Sequence, residues 1–209
     1  MKPDHWFKFG LLALLLCVWP TAHVTAQPSI YLPGHPFSAQ VNRSLPGSKK
    51  VDQGRMLFST LGLRTEAVRD GQPVVLIIRT DLQKQWLLFP NTRRYIEQAA
   101  SGPLRPPLPH EKGSLCQQTQ QFQCVQMREE MVSGRVTKRW KIQHKRNNRI
   151  ETYAVLWIDE QLKLPIRERY ADGTTVSMRH LKLIEPAHDL FEIPKEYRKM
   201  EEKPSMTAQ

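Results

Sequence analysis

The sequence contains little that would anchor it in a membrane or equip it for catalysis. Its longest apolar run, Phe9 to Trp19, is about 11 residues, too short to span a bilayer, and no later stretch approaches the roughly 18 residues a helix needs. No strand-to-helix nucleophile turn and no glycine-rich phosphate loop occurs. The histidines beyond the first segment, His35, His110, His144, His180 and His188, lack the short paired spacing of a zinc helix. Acidic residues are also scarce: 20 Asp and Glu stand against 31 Lys and Arg, a formal charge of +11. Scattered Ser, His and Asp residues do not make an active site, so no enzyme, metal or cofactor is expected.

What is present begins with an address. Lys2 and Lys8 precede the apolar run, and Val24 and Ala26 supply the small residues of a cleavage site, predicting a signal peptide over residues 1–26 cut between Ala26 and Gln27. Leu15 and Leu16 before Cys17 argue against lipidation there, because a lipoprotein peptidase requires small residues at that point. Loss of Lys2, Lys8 and Asp4 leaves a charge of +10. Export to the periplasm removes nucleic acid as the partner of that charge. It leaves anionic lipid headgroups, lipopolysaccharide, acidic polymers or simply a well-solvated surface. Cys116 and Cys124 are then the remaining cysteines, and an even number in an oxidising compartment predicts a disulfide.

Residues 27–50 hold Pro28, Pro33, Pro36, Pro46, Gly34 and Gly47, and read as an extended N-terminal arm whose Phe37 docks on the body. From Val51 the pattern changes to short β-rich runs. Strands are expected near Gly54 to Leu61, Leu63 to Arg69, Val74 to Asp81, Gln85 to Phe89 and Arg94 to Glu97. A second set follows near Gln123 to Met131, Arg135 to Lys145, Ile150 to Ile158, Leu164 to Tyr170 and Thr174 to Ile184. Asp70-Gly71, Ser133-Gly134 and Asp172-Gly173 are hairpin turns by composition. Between the two meanders, Ala99 to Gly113 carries Pro103, Pro106, Pro107 and Pro109, which excludes helix interior and central strand and leaves a long loop. Residues 201–209 read as a polar tail.

Strand faces carry the functional information. Val74 to Ile78 and Trp86 to Phe89 are apolar on both sides, as is Ile150 to Ile158, where Tyr153, Val155 and Trp157 oppose Ile150, Leu156 and Ile158. Such a sheet needs a layer on each face, from the protein or from a ligand. Trp86, Leu88, Tyr95, Tyr153, Val155 and Trp157 are the cavity candidates. The alternation of Arg167, Glu168 and Arg169 reads as solvated charge. Lys138, Arg139, Lys141, Lys145, Arg146 and Arg149 surround one hairpin and form a basic surface placed to meet anionic headgroups or an acidic partner.

Arg64-Thr65-Glu66, Arg79-Thr80-Asp81, Trp86, Phe89-Pro90 and Tyr95, followed by Trp140-Lys141, Trp157-Ile158-Asp159, Leu164 to Arg167, Asp172-Gly173 and Phe191 to Pro194, resemble the periplasmic lipoprotein carriers of the LolA/LolB-like superfamily. The resemblance covers about Val51 to Met200. It implies a mainly β (α+β) half-barrel domain over 51–200, a single strongly curved antiparallel sheet forming an unclosed β-barrel with short helices or loops capping its concave face. It further implies a monomer that carries a lipid or lipoprotein acyl chain. The alternative is an envelope protein-interaction or sensor module on the same fold. Under this resemblance Asp159 and Asp172-Gly173 serve turns, and no residue is catalytic.

Overall fold

The computed structural model describes residues 32–100, 104–146 and 149–200. The expected signal peptide and its cleavage site, the 201–209 tail and the side chain of Arg146 lie outside the described residues.

Twelve strands form one sheet. They are β1 (Phe37–Ser44), β2 (Val51–Ser59), β3 (Gly62–Arg69), β4 (Gln72–Arg79), β5 (Lys84–Phe89), β6 (Arg94–Ala99), β7 (Phe122–Val132), β8 (Arg135–Arg146), β9 (Arg149–Asp159), β10 (Leu164–Tyr170), β11 (Thr175–Lys182) and β12 (Arg198–Lys199). Their order is β12-β6-β5-β4-β3-β2-β1-β11-β10-β9-β8-β7, antiparallel throughout except for the parallel β12–β6 pair. The two ends of this order do not pair, so the barrel is unclosed. Asp70-Gly71 and Ser133-Gly134 make the tight turns, with φ of 51° and 76° in the first and 51° and 77° in the second.

The extended-arm reading of residues 27–50 is corrected at its centre. Phe37–Ser44 is β1, and it pairs with β2 on one side and β11 on the other, joining two meanders that otherwise share no strand contact in the sheet order. The prolines that suggested an arm flank this stretch without entering it. Within it Phe37, Ala39 and Val41 alternate with Ser38, Gln40 and Asn42, a half-buried strand in miniature.

The sheet is rolled. Ser133, in the β7–β8 turn, donates its hydroxyl to the Met178 carbonyl of β11 at 3.1 Å. Three to four strand spacings separate these elements, roughly 14–19 Å if the sheet were flat. The inner face carries Phe37, Ala39, Phe58, Leu63 and Met178, and Trp157, Ile166 and Val132 join them in one buried cluster. A β-carbon on Gly54 of β2 would collide with the Glu66 carbonyl oxygen of β3, so glycine is required at this close approach of the two strands.

The outer face of β2 to β6 is covered by the chain's own C-terminal segment. Phe191, in a short 3-10 turn (His188–Phe191), packs on Leu57, Val75, Ile77, Trp86 and Leu88. Arg64 Nη1 donates to the Leu190 carbonyl at 2.7 Å, and Lys199 Nζ pairs with Glu97 Oε1 at 2.9 Å. The Trp86 indole N–H, then Lys199 and Lys84, hold the Glu97 carboxyl down at about 2.

The proline-rich stretch is the crossover from β6, near one edge of the sheet, to β7 at the other. It is well packed: Leu104, Arg105 and Leu108 are buried, and Arg105 forms a two-pronged pair with Glu111 at 2.6 and 2.7 Å. A single turn of helix, α1 (Leu115–Gln118), follows, and Cys116 is bonded to Cys124 of β7. Closing so short a loop removes chain entropy from the unfolded state worth about 2.5 kcal/mol. Replacing both cysteines by serine is expected to lower the urea midpoint accordingly. The unmodified protein should show the same loss in reductant, while the double variant becomes indifferent to it.

Candidate functional site

The register of the strands determines which side chains meet. Across β1 to β6 the inner face presents Ala39, Met56, Thr65, Leu76, Leu87 and Ile96 directly opposite one another in a continuous row. From Met56 onward each member is half-buried. The corresponding outer row, Leu57, Arg64, Ile77, Trp86 and Glu97, lies beneath or beside the C-terminal segment, and its apolar members are buried.

The six cavity candidates separate accordingly. Trp86, Leu88 and Tyr95 belong to the outer-face cluster around Phe191, and Trp86 donates its indole N–H to Glu97 Oε2 at 2.9 Å. Val155 and Trp157 belong to the buried cluster around Phe37, with the Trp157 indole donating to Glu130 at 2.9 Å. Tyr153 stands apart, 43% exposed. The six therefore do not line one cavity. Two adjacent strands of alternating pattern supply bulky residues to both faces, and composition cannot say which face a covering segment will take.

The basic hairpin also divides. Near the sheet body Lys138 pairs with Glu160 at 3.4 Å, and Arg139 pairs with Glu130 at 3.2 Å while lying over the Trp157 ring. Lys141 is half-buried, whereas Lys145 and Arg149 are exposed at the far end beside the exposed Ile150.

Two concave regions bear on function, the first of them on the outer face. The larger, about 810 Å³, runs between the C-terminal segment and β1 to β3, where Arg55 and Arg64 both pair with Glu66 and where His180 sits at a bulge with φ of 48°. The second, about 350 Å³, lies under the proline-rich crossover, between Pro106, Pro107 and Leu115 above and Ile142, Leu156 and Glu168 below. Tyr153 and Tyr170 form its side wall. Their rings meet edge to face at 6.2 Å, and Phe122 adds a second edge contact to Tyr153 at 5.5 Å.

The solvated-charge reading of Glu168 is corrected here. Strand alternation puts Glu168 opposite Leu156, on the face that the crossover covers, while Arg167 and Arg169 point the other way. Burial raises the Glu168 carboxyl above its ordinary value of 4.5, opposed by the Tyr170 hydroxyl that donates to Oε2. The same burial, and the carboxylate beside it, push the Tyr170 phenol up. Only the loop's position makes Glu168 unusual, so no signal in β10 itself announces it.

The sign of the resulting pH effect follows from linkage. A carboxyl whose folded pKa is raised favours folding when protonated, so its contribution is full below 4.5 and declines as pH rises through the folded value. Glu168→Gln is accordingly expected to stabilise the protein above that window by on the order of 1 kcal/mol, with no gain at pH 4. Thermal midpoints of the two proteins measured from pH 4 to pH 8 provide the check.

No family model and no curated protein matches this chain. Solved structures of similar fold include an uncharacterized conserved protein from Thermus thermophilus, at 13% identity over 80% of this chain and 90% of that one, TM-score 0.49. MucB matches at 18% identity over 78% of this chain, TM-score 0.49, and the chain spans 58% of its length. A LolA superfamily protein from Nitrosomonas europaea matches at 12% identity over 78% of this chain and 92% of that one, TM-score 0.33. These are likenesses of fold alone.

Proposed function

We propose that this chain is a non-enzymatic binder or carrier of a lipid or lipoprotein acyl chain, acting in the periplasm after export. The observation that carries this reading is the inner-face row Met56, Leu76, Leu87 and Ile96, which stays half-buried on strands whose outer face buries Leu57, Val75, Ile77, Trp86 and Leu88 beneath the C-terminal segment. Phe89 and Val74 flank it, also half-buried. Covering such a surface with an acyl chain returns about 25 cal/mol for each Å² of apolar area withdrawn from water. An unclosed sheet leaves a lateral route for the chain to enter and leave, as a carrier needs.

Titration with a dansyl-labelled undecanoic acid tests the proposal. Saturable binding with a blue-shifted emission is expected, together with its loss in Leu87→Asp at unchanged circular dichroism. Failure of the natural protein to bind, or equal binding by the variant, would overturn it.

A second reading, a module that contacts an envelope protein, draws on the far end of the β8–β9 hairpin, where Ile150 and Tyr153 are exposed alongside Lys145 and Arg149. Site-specific crosslinking from position 150 in cells separates the two. A single protein adduct favours the module, and lipid or many lipoproteins favour the carrier.

A further inference from the structure

Among the described residues, the carboxylates that are buried or half-buried are, as a rule, paired. Glu66 meets Arg55 and Arg64, Glu97 meets Lys84 and Lys199, Glu111 meets Arg105, Glu130 meets Arg139, and Asp159 meets Arg135. Glu168 is the exception among them: it is half-buried, and among the described residues it has no ion-pair partner. A desolvated carboxyl without a cation is costly. Its Oε2 accepts from Tyr170, and Oε1 remains as an acceptor.

The surroundings match one class of ligand. Glu168 opens onto the pocket under the crossover, whose other walls are apolar apart from the tyrosines and Ser114. Tyr153 and Tyr170 present aromatic surface next to the carboxyl, and aromatic faces attract organic cations most strongly where water is excluded. At about 350 Å³ the pocket has the size of a small-ligand site. Arg43 lies beyond the tyrosine pair, in the neighbouring cleft that Tyr153 and Tyr170 also line, which confines a cation to the loop side.

We propose that this pocket binds an alkylammonium ion, its charged nitrogen against Glu168 and the two tyrosines and its alkyl part against Leu156, Ile142 and the prolines of the crossover. The site lies under the crossover on β8 to β10, strands separate from the acyl-chain row on β2 to β6, and does not depend on that reading. The ligand supplies the cation that the fold withholds, and the disulfide at Cys116 fastens the loop that forms the roof.

Isothermal titration of the purified protein with n-octyltrimethylammonium, n-octylamine, octan-1-ol and octanoate, all below their micellar concentrations, provides the test. At least one ammonium ion is expected to bind about tenfold or more tightly than the alcohol, and octanoate more weakly still. A preference for the trimethylammonium ion points to a choline-type headgroup read by the tyrosines. A preference for the primary amine points to a lysine- or polyamine-type group read by the carboxylate. Glu168→Gln should bring the ammonium ion down to the level of the alcohol while the protein remains folded and gains stability. Leu87→Asp should leave ammonium binding unchanged. Octanol binding as tightly as both ions, no binding of either ion, or undiminished binding by Glu168→Gln would overturn the proposal.

Discussion

Phe191→Ala is expected to destabilise the protein by about 3 to 5 kcal/mol, the range for removing a large aromatic from a closed core. Phe191 is fully buried, and it is the residue through which the C-terminal segment enters the outer-face cluster of Leu57, Val75, Ile77, Trp86 and Leu88. The side chains around it belong to strands paired in fixed register, so they cannot collapse into the space it leaves. The flanking polar contacts, Arg64 to the Leu190 carbonyl and Lys199 to Glu97, are half-buried or exposed and cannot replace it. Urea denaturation followed by tryptophan fluorescence gives the loss directly, because Trp86 lies in the same cluster. Limited proteolysis should also show cleavage between residues 186 and 200 in the variant before the sheet is attacked. A loss below 1 kcal/mol would mean that the segment is an accessory strap and not part of the core.

Asp159→Ala is expected to cost about 3 kcal/mol, for a different reason. The Asp159 side chain is 3% exposed; Oδ2 accepts from Arg135 Nε, while Oδ1 accepts from the backbone N–H groups of Gln161 and Leu162 at 2.9 and 3.0 Å. Truncation leaves the buried Leu162 amide without its acceptor and Arg135 without its carboxylate. Arg135 keeps its bond to Gln161 at 2.8 Å and is partly exposed, which places the cost at the lower end of the range for broken buried pairs. Asp159→Asn retains the two amide contacts and should cost roughly half as much. Equal losses in the two variants would show that the charge pair, and not the turn, carries the stabilisation. Leu162 is fully buried and receives Gly34 through a 2.7 Å hydrogen bond to its carbonyl, so the damage should reach the segment leading into β1.

Local chemistry made much of this architecture legible. Asp70-Gly71 and Ser133-Gly134 are turns because their residues accept positive φ, and the strands on either side follow from period-2 alternation. The Cys116–Cys124 bond follows from an even cysteine count and eight residues of separation. β1 escaped because prolines around Phe37–Ser44 outweighed the eight-residue alternation inside it when the region was read as one segment. Glu168 escaped because an acid between two arginines looks the same on a covered face as on an open one.

Sequence by itself determined the β class, the strand positions, the turns, the disulfide and the pairs of residues that share a face, all of which depend on neighbours a few residues apart. It also predicted export, in a segment outside the described residues. Tertiary structure alone decided which faces are covered: the C-terminal segment covers the outer side of β2 to β6, the proline-rich crossover covers the face of β8 to β10 that carries Glu168, and the inner row from Met56 to Ile96 stays half-buried. The physical reason is that alternation assigns side chains to two faces without distinguishing them. The distinction comes from segments dozens of residues away in the chain, whose docking depends on how the whole sheet rolls.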